Sequence, residues 1–169
     1  MQVFNLRMDR WHDQPFRGEL MKWIMEPSAS DAMAIADNLR PADAIEVMLS
    51  HGMDPFQAVK SSFCGSRVCR GIASDQGVPV GLCGVADHRI WMLGTPELTA
   101  TRRGRWQLIV EGRKWVDSCF EEVGGPLFNQ VYSKNTESIR WLKMLGFSVD
   151  IPRPIGDSGA LFCDFWRNN

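Results

Sequence analysis

Apolar side chains recur at helical spacing near the C-terminal end of the chain. Ile139, Leu142 and Leu145 follow one another at three-residue intervals and therefore share one face of a helix. Asn135 offers a side-chain oxygen that can cap the first turn, and Gly146 can adopt the left-handed conformation that ends a helix. Apolar runs typical of strands precede and follow this helix. The pattern therefore predicts a strand, a capped helix and a strand, in that order.

The same two periodicities predict the other elements. Short alternating runs indicate strands, and amphipathic stretches that open with Asp or Pro indicate helices. In chain order the predictions are a strand at 32–38, helices at 41–49 and 54–63, strands at 68–74, 78–85 and 89–93, a helix at 105–123, a strand at 127–132, the helix above, and a hairpin of 148–151 with 160–166. This order predicts a mixed α/β (α+β) domain.

An N-terminal extension is predicted over residues 1–30, followed by a domain over 31–169. The extension is rich in large apolar side chains, and residues 18–26 have the spacing of a short amphipathic helix. One interpretation is that this arm packs on the surface of its own domain. The other is that it binds another protein, because aromatic and Met-rich surfaces are typical of interfaces.

Composition narrows the class of protein. A chain of 169 residues with 44% hydrophobic residues suits one folded domain with one core. The net charge of −1 gives no general attraction to nucleic acid. No apolar run approaches the ~20 residues that span a bilayer, and the first residues lack the apolar core of a signal peptide. We therefore expect a cytoplasmic protein with no membrane span and no nucleic-acid site.

The five cysteines predict free thiols rather than a metal site. They are odd in number and scattered, they form no C-x-x-C pair, and the three histidines lie in no ligand spacing. Most of the cysteines lie within apolar runs, so we expect buried thiols and no bound metal.

The C-terminal helix resembles the last conserved block of the GNAT (Gcn5-related N-acetyltransferase) superfamily. The residues that carry the resemblance are Asn135, Ser138, Leu142, Gly146 and Phe147. The resemblance covers roughly residues 31–166. It implies a GNAT-like, mostly antiparallel sheet flanked by helices, in which the fourth and fifth strands run parallel and splay apart. Many members carry at position 142 a tyrosine that protonates the leaving thiolate of coenzyme A, and Leu142 has no proton to give.

Within this superfamily the chain looks most similar to small GNAT-like proteins of tailed bacteriophages, which include an internal virion protein. The matching stretches are residues 39–43, 81–85, 91–98 and 135–142. This resemblance implies a phage protein that acts in or around the virion, in assembly or DNA delivery. It implies the host cytoplasm and the virion as locations, and other virion proteins or a second copy of the chain as partners through residues 1–30.

A phosphate-binding loop is expected where the long helix begins. The GNAT pattern, Gln/Arg-x-x-Gly-x-Gly/Ala, holds the pyrophosphate of acetyl-CoA on backbone N–H groups. Here the corresponding stretch contains Arg102, Arg103, Gly104 and Arg105, with Trp106 where the pattern has Gly or Ala. The arginines suit an anion, so one hypothesis is a remodelled phosphate site. The alternative is a solvated basic turn.

Acid–base candidates can be named from position alone. Asp87 and Glu97 flank the fourth predicted strand, and a carboxylate there could accept a proton from an amine. Tyr132, the single tyrosine, lies on the fifth strand and could replace the missing acid. The resemblance places Asn135 where it would contact the pantetheine arm of the cofactor, and its alternative role is the helix cap. The alternative roles of the other three are solvated surface charges for Asp87 and Glu97 and ring packing for Tyr132.

Three functions follow from these observations. The first is the phage virion role with a degenerate acetyl-CoA site. The second is an active acetyl-CoA-dependent N-acetyltransferase that modifies a host protein or a small amine. The third is a binding module that uses the same cleft for another ligand. Acetyl-CoA is the one cofactor that the resemblance implies.

Overall fold

The computed structural model describes residues 22–24 and 26–168, which form one sheet with helices on both faces. The strands are β1 (Lys22–Ile24), β2 (Val68–Ala73), β3 (Pro79–Ala86), β4 (Arg89–Gly94), β5 (Leu127–Tyr132), β6 (Ser148–Val149), β7 (Arg153–Ile155) and β8 (Ala160–Arg167). The helices are α1 (Ala29–Asp37), α2 (Pro41–His51), α3 (Pro55–Gly65), α4 (Arg102–Val123) and α5 (Thr136–Met144), with a 3₁₀ turn at Pro96–Thr99.

The predicted strand over 32–38 is wrong, because this stretch belongs to α1. Ser28 and Asp31 form a capping box, in which each side chain bonds the backbone N–H of the other residue. Ala32, Ile35 and Ala36 are the buried residues of the helix, and their spacing is helical. The cap and this second set of apolar positions outweigh the strand-like alternation of residues 33 and 35.

The predicted helix over 18–26 is also wrong in the part that the structure describes. Lys22–Ile24 form β1, which pairs antiparallel with β2. Of the rest of the extension, residues 1–21 and 25 lie outside the described residues, and residues 26–30 lead into α1. The division of the chain at residue 30 therefore stays a prediction, although three residues of the extension are part of the sheet.

The strands of the sheet run in the predicted directions. Its strand order is β1-β2-β3-β4-β5-β8-β6, with β7 also paired to β8. Each pair is antiparallel except β4 with β5, which run parallel. The β4–β5 pair has a single register position, Arg89 with Phe128, and the strands diverge beyond it. This confirms the mostly antiparallel sheet with one splayed parallel pair.

Two buried layers show that the helices lie on opposite faces. Ile35 of α1 and Val59 of α3 pack with Leu82 of β3 in one layer. Val116 of α4 packs with Cys83 of β3 in the other. Neighbouring residues of a strand point to opposite faces, so α1–α3 cover one face and α4–α5 cover the other.

The predicted C-terminal helix is confirmed as α5. The Asn135 side chain accepts a hydrogen bond from the Ser138 N–H at 3.3 Å, and Gly146 ends the helix with φ +91°. Leu142 and Leu145 are buried as expected, and Ile139 is partly buried. Within residues 22–24 and 26–168, no helix combines the length and apolar character that crossing a membrane requires.

Candidate active site

The divergence of β4 and β5 opens a cleft through the sheet, with a volume of about 220 Å³. The two strands are joined at one end only, where the Phe128 N–H donates to the His88 carbonyl at 3.0 Å and Asn129 Nδ2 donates to the Ile90 carbonyl at 2.9 Å. The lining side chains come from both faces of the sheet. They include Asp43, Glu46 and Ser50 of α2, Ser61 and Ser62 of α3, Trp91–Leu93 of β4, Trp115 of α4 and Leu142 of α5.

Glu46 lines the cleft and forms no ion pair with a described residue. It lies on α2, is partly buried, and accepts hydrogen bonds on Oε2 from the Tyr132 backbone N–H at 3.1 Å and from Asn135 Nδ2 at 3.3 Å. Burial raises the pKa of Glu46 to about 7, although these two donors oppose the rise. A carboxyl with a pKa near neutrality, placed in a cleft, is suited to general-base chemistry.

Asp43, one turn earlier on α2, has a structural role instead. Its carboxylate forms a two-point ion pair with Arg40, with N–O distances of 2.9 and 2.7 Å, and accepts the Gly94 N–H at 3.0 Å. Because Asp43 is 4% exposed and fully paired, it joins the start of α2 to the end of β4. Glu46 has no such cation partner among the described residues.

The sequence-based predictions missed Glu46, although a signal was present. Asp43, Glu46, Val47 and Ser50 follow helical spacing and all line the cleft. A glutamate on a helix is usually solvated, so its type alone carried no information. The informative feature was its place on the same face as an apolar valine.

Tyr132 and Asn135, two of the predicted site residues, are brought together around Glu46. The Tyr132 ring packs against Phe162, with ring centroids 5.4 Å apart, and only its backbone N–H contacts the carboxylate. Asn135 both caps α5 and donates to Glu46. Their predicted roles as acid and as pantetheine contact remain predictions.

The structure does not bring Asp87 to this group. Asp87 is exposed in the β3–β4 turn, at the end where β4 and β5 are joined. Gly94 is seven residue steps of ~3.3 Å along the chain from Asp87, so Asp87 lies roughly 20 Å from the open end of β4. Glu97 lies near that open end, exposed in the 3₁₀ turn before α4.

The predicted phosphate-binding residues form the first turn of α4. Thr101 caps this helix by accepting the Gly104 N–H at 2.9 Å, and Arg105 Nη1 donates to the Thr99 carbonyl at 2.7 Å. Arg102, Arg103 and Arg105 thus place three guanidinium groups at a helix N-terminus, which itself favours an anion. The Trp106 ring is 58% exposed and so projects toward solvent.

The thiols supply no nucleophile to this cleft. All five cysteines are free; Cys83, Cys119 and Cys163 are buried as predicted, whereas Cys64 is exposed. Burial raises the pKa of Cys119 to about 12, and it raises that of Cys83 well above its ordinary value. No group of three or more His, Cys, Asp and Glu side chains in the described part of the chain is arranged to hold a metal ion.

Comparisons with known proteins show which solved structures share this fold. No protein-family model matches the chain, and no curated protein matches it either. Among solved structures it is similar to the spermidine N-acetyltransferase from Vibrio cholerae in complex with CoA and spermine, with a TM-score of 0.62 and 11% identity over 88% of this chain and 95% of that one. It is also similar to a GCN5-related N-acetyltransferase from Kribbella flavida (TM-score 0.61, 15% identity, 88% and 98% covered). A third is YncA from Salmonella typhimurium with its cofactor acetyl-CoA (TM-score 0.58, 16% identity, 88% and 94% covered).

These similarities show that the chain has the GNAT acetyltransferase fold. The matches extend over nearly the whole length of each solved structure, so the fold is shared as a whole rather than in one motif. At such low identity the likeness concerns the fold, and the substrate must be argued from the cleft itself.

Proposed function

We propose that this protein is an acetyl-CoA-dependent N-acetyltransferase in which Glu46 is the general base. The observation that carries the proposal is Glu46 itself, a carboxylate without a cation partner among the described residues, lining a cleft between two diverging parallel strands. Two of the similar solved structures, the spermidine N-acetyltransferase and YncA, hold CoA and acetyl-CoA, respectively. This supports the second of the three functions considered from the sequence.

The residues present fit the proposed cofactor. The start of α4 combines backbone N–H groups with Arg102, Arg103 and Arg105, which suits a pyrophosphate. The apolar part of the cleft, which includes Leu142 and Trp115, suits an uncharged arm. When bound, acetyl-CoA supplies the acetyl group as an activated thioester.

Glu46 has the protonation behaviour that its role requires. With a pKa of about 7, its carboxyl is ionised above neutral pH and can take a proton from the acceptor amine, directly or through one water. The Tyr132 N–H and Asn135 Nδ2 fix one oxygen of the carboxylate. These bonds orient the base without neutralising its charge.

Leu142 cannot act as a general acid, and this limits the expected rate of acetyl transfer. It is 6% exposed, lines the cleft, and stands where the resemblance leads one to expect a proton-donating tyrosine. Thiols are acidic enough, with a pKa of about 8.5 for cysteine, that a thiolate can leave without an acid. Loss of a general acid typically costs about 10²–10⁴-fold, so we expect a slow enzyme.

The virion role stays a prediction. It rests on the phage resemblance and on residues 1–30, most of which lie outside the described residues. None of the similar solved structures reported above is described as a phage protein.

Calorimetric titration of the full-length protein with acetyl-CoA tests the proposal. We expect micromolar binding that weakens at least about 10²-fold when Arg102 and Arg103 are both changed to Glu, because two charged contacts of roughly 1.5–3 kcal/mol each are lost. The matched control changes exposed Lys60 and Arg67 to Glu and should bind as wild type does. No binding by the folded wild-type protein would contradict the proposal.

A further inference from the structure

Building on the proposed function, we infer that the amine acceptor is a small molecule with a single positive charge, a monoamine rather than a diamine or polyamine. The α2–α3 side of the cleft, opposite α4, is the side left for the acceptor. Its charges, hydroxyl groups and size together define this substrate class.

The charge of the cleft comes from few groups. Among the described side chains that line it, the ionisable ones are Arg40, Asp43, Glu46 and His51. Asp43 is matched by Arg40 in the two-point ion pair and cannot serve a second cation without breaking it. Glu46 is therefore the one acidic group available to an ammonium, and its partners Tyr132 N–H and Asn135 Nδ2 are uncharged.

A second ammonium on the same substrate would have no partner in this part of the cleft. The other charged side chains that line the cleft near Glu46, Arg40 and Asp43 at the start of α2, already balance each other in their ion pair. A second ammonium in the cleft would therefore lack a counter-ion, and an unpaired buried charge is costly. A diamine must either leave its second charge in the solvent outside the mouth or lose affinity.

The neutral polar groups favour an uncharged hydrogen-bonding substituent. Ser61 and Ser62 of α3 line the cleft, with Ser61 exposed. The Ser50 hydroxyl donates to the backbone carbonyl of Glu46 at 2.7 Å and lies 2.7 Å from His51 Nδ1, so it is already engaged. Hydroxyls such as those of Ser61 and Ser62 can donate and accept, which suits an alcohol or an amide on the acceptor.

The volume of the cleft favours a small acceptor. At about 220 Å³ it lies below the roughly 300–1,000 Å³ typical of drug-sized ligand sites. The same space must also admit the reactive end of the cofactor. The part of the acceptor that enters the cleft beside it must therefore be short.

Rates with a pair of amines of matched length test the inference. The full-length protein is given acetyl-CoA and either aminopropanol or diaminopropane, and the acetylated product is quantified by mass spectrometry. We expect kcat/KM to be at least about 10-fold higher for aminopropanol. Equal or better use of the diamine, or of a linear triamine, would overturn the inference.

A pair of variants at Ser61 provides a second test, in which a negative charge is added to the cleft. Ser61→Glu supplies a second carboxylate at an exposed position and should shift the preference toward diaminopropane by about 10-fold. Ser61→Gln, which matches its size without the charge, should leave the preference unchanged. A preference that is the same in both variants would contradict the charge argument.

Failure of the inference and failure of the proposed function remain distinguishable. If acetyl-CoA binds but neither amine is acetylated, the acceptor class is wrong while cofactor use stands. If acetyl-CoA does not bind, the proposed function fails and takes the inference with it.

Discussion

Replacing Glu46 by Gln should stabilise the protein at alkaline pH while removing its proposed base. The side chain is partly buried and accepts two hydrogen bonds on one oxygen. Glutamine has nearly the same shape, and its carbonyl oxygen can accept the same two bonds. The substitution therefore removes the charge and keeps most of the contacts.

The magnitude follows from the pKa of Glu46, which burial raises from 4.5 to about 7. Each pKa unit corresponds to about 1.36 kcal/mol, so ionised Glu46 costs the folded state up to about 3 kcal/mol. Between pH 4.5 and 7 the folded state binds more protons than the unfolded state, so this contribution to stability falls as pH rises. The cost is nearly absent below pH 4.5 and complete above pH 7.

Urea unfolding at two pH values, about 5 and about 8, measures this effect. The free energy of unfolding of Glu46→Gln minus that of wild type should be about 2–3 kcal/mol larger at the higher pH, which means that the variant gains stability. Any fixed cost of the altered hydrogen bonds cancels in that difference. Glu121→Gln, an exposed glutamate on α4, is the control and should show no such dependence. A Glu46→Gln effect that is the same at both pH values would refute the reasoning.

Three further substitutions test the packing. Asp43→Ala should lower the free energy of unfolding by about 3–5 kcal/mol, because it leaves a partly buried arginine unpaired. Glu111→Ala, in an exposed ion pair of the same spacing, should lower it by under about 1 kcal/mol in the same urea assay. Equal costs would contradict the burial argument. Gly84→Ala should cost about 1–3 kcal/mol because its methyl would lie 2.6 Å from a carbonyl oxygen of the neighbouring strand. The matched Gly65→Ala meets nothing within 4 Å and should be neutral or slightly stabilising by thermal melting. Leu142→Ala should cost about 2–5 kcal/mol, and an unchanged melting temperature would show that this leucine does not pack.

The C-terminal half of the fold was predictable because its signals are local. Asn135 and Gly146 mark both ends of α5, and apolar residues of a single period lie between them. The N-terminal part was harder. In α1 the alanines contrast weakly with polar residues, so the pattern fits a strand or a helix, and only the capping box of Ser28 with Asp31 distinguishes them.

The candidate base was missed for a different reason, because the helical spacing that it shares with Val47 does not reveal its environment. The environment of Glu46 depends on where α2 lies above the gap between β4 and β5, and that position is fixed partly by the Asp43–Arg40 pair reaching Gly94. A contact between residues 51 positions apart leaves no periodic trace in the sequence. Asp87 and Glu97 were reasonable from strand ends, but the structure leaves both of them exposed.

The pH dependence of acetyl transfer tests the central claim most directly. Initial rates with saturating acetyl-CoA and limiting amine should rise with pH through an apparent pKa near 7, because Glu46 must be ionised to accept the proton. Glu46→Gln, which should fold at least as well, should lower the rate about 10²–10⁴-fold and abolish that rise. A Glu46→Gln variant that retains the wild-type rate and the same pH dependence would contradict the assignment of Glu46 as the base.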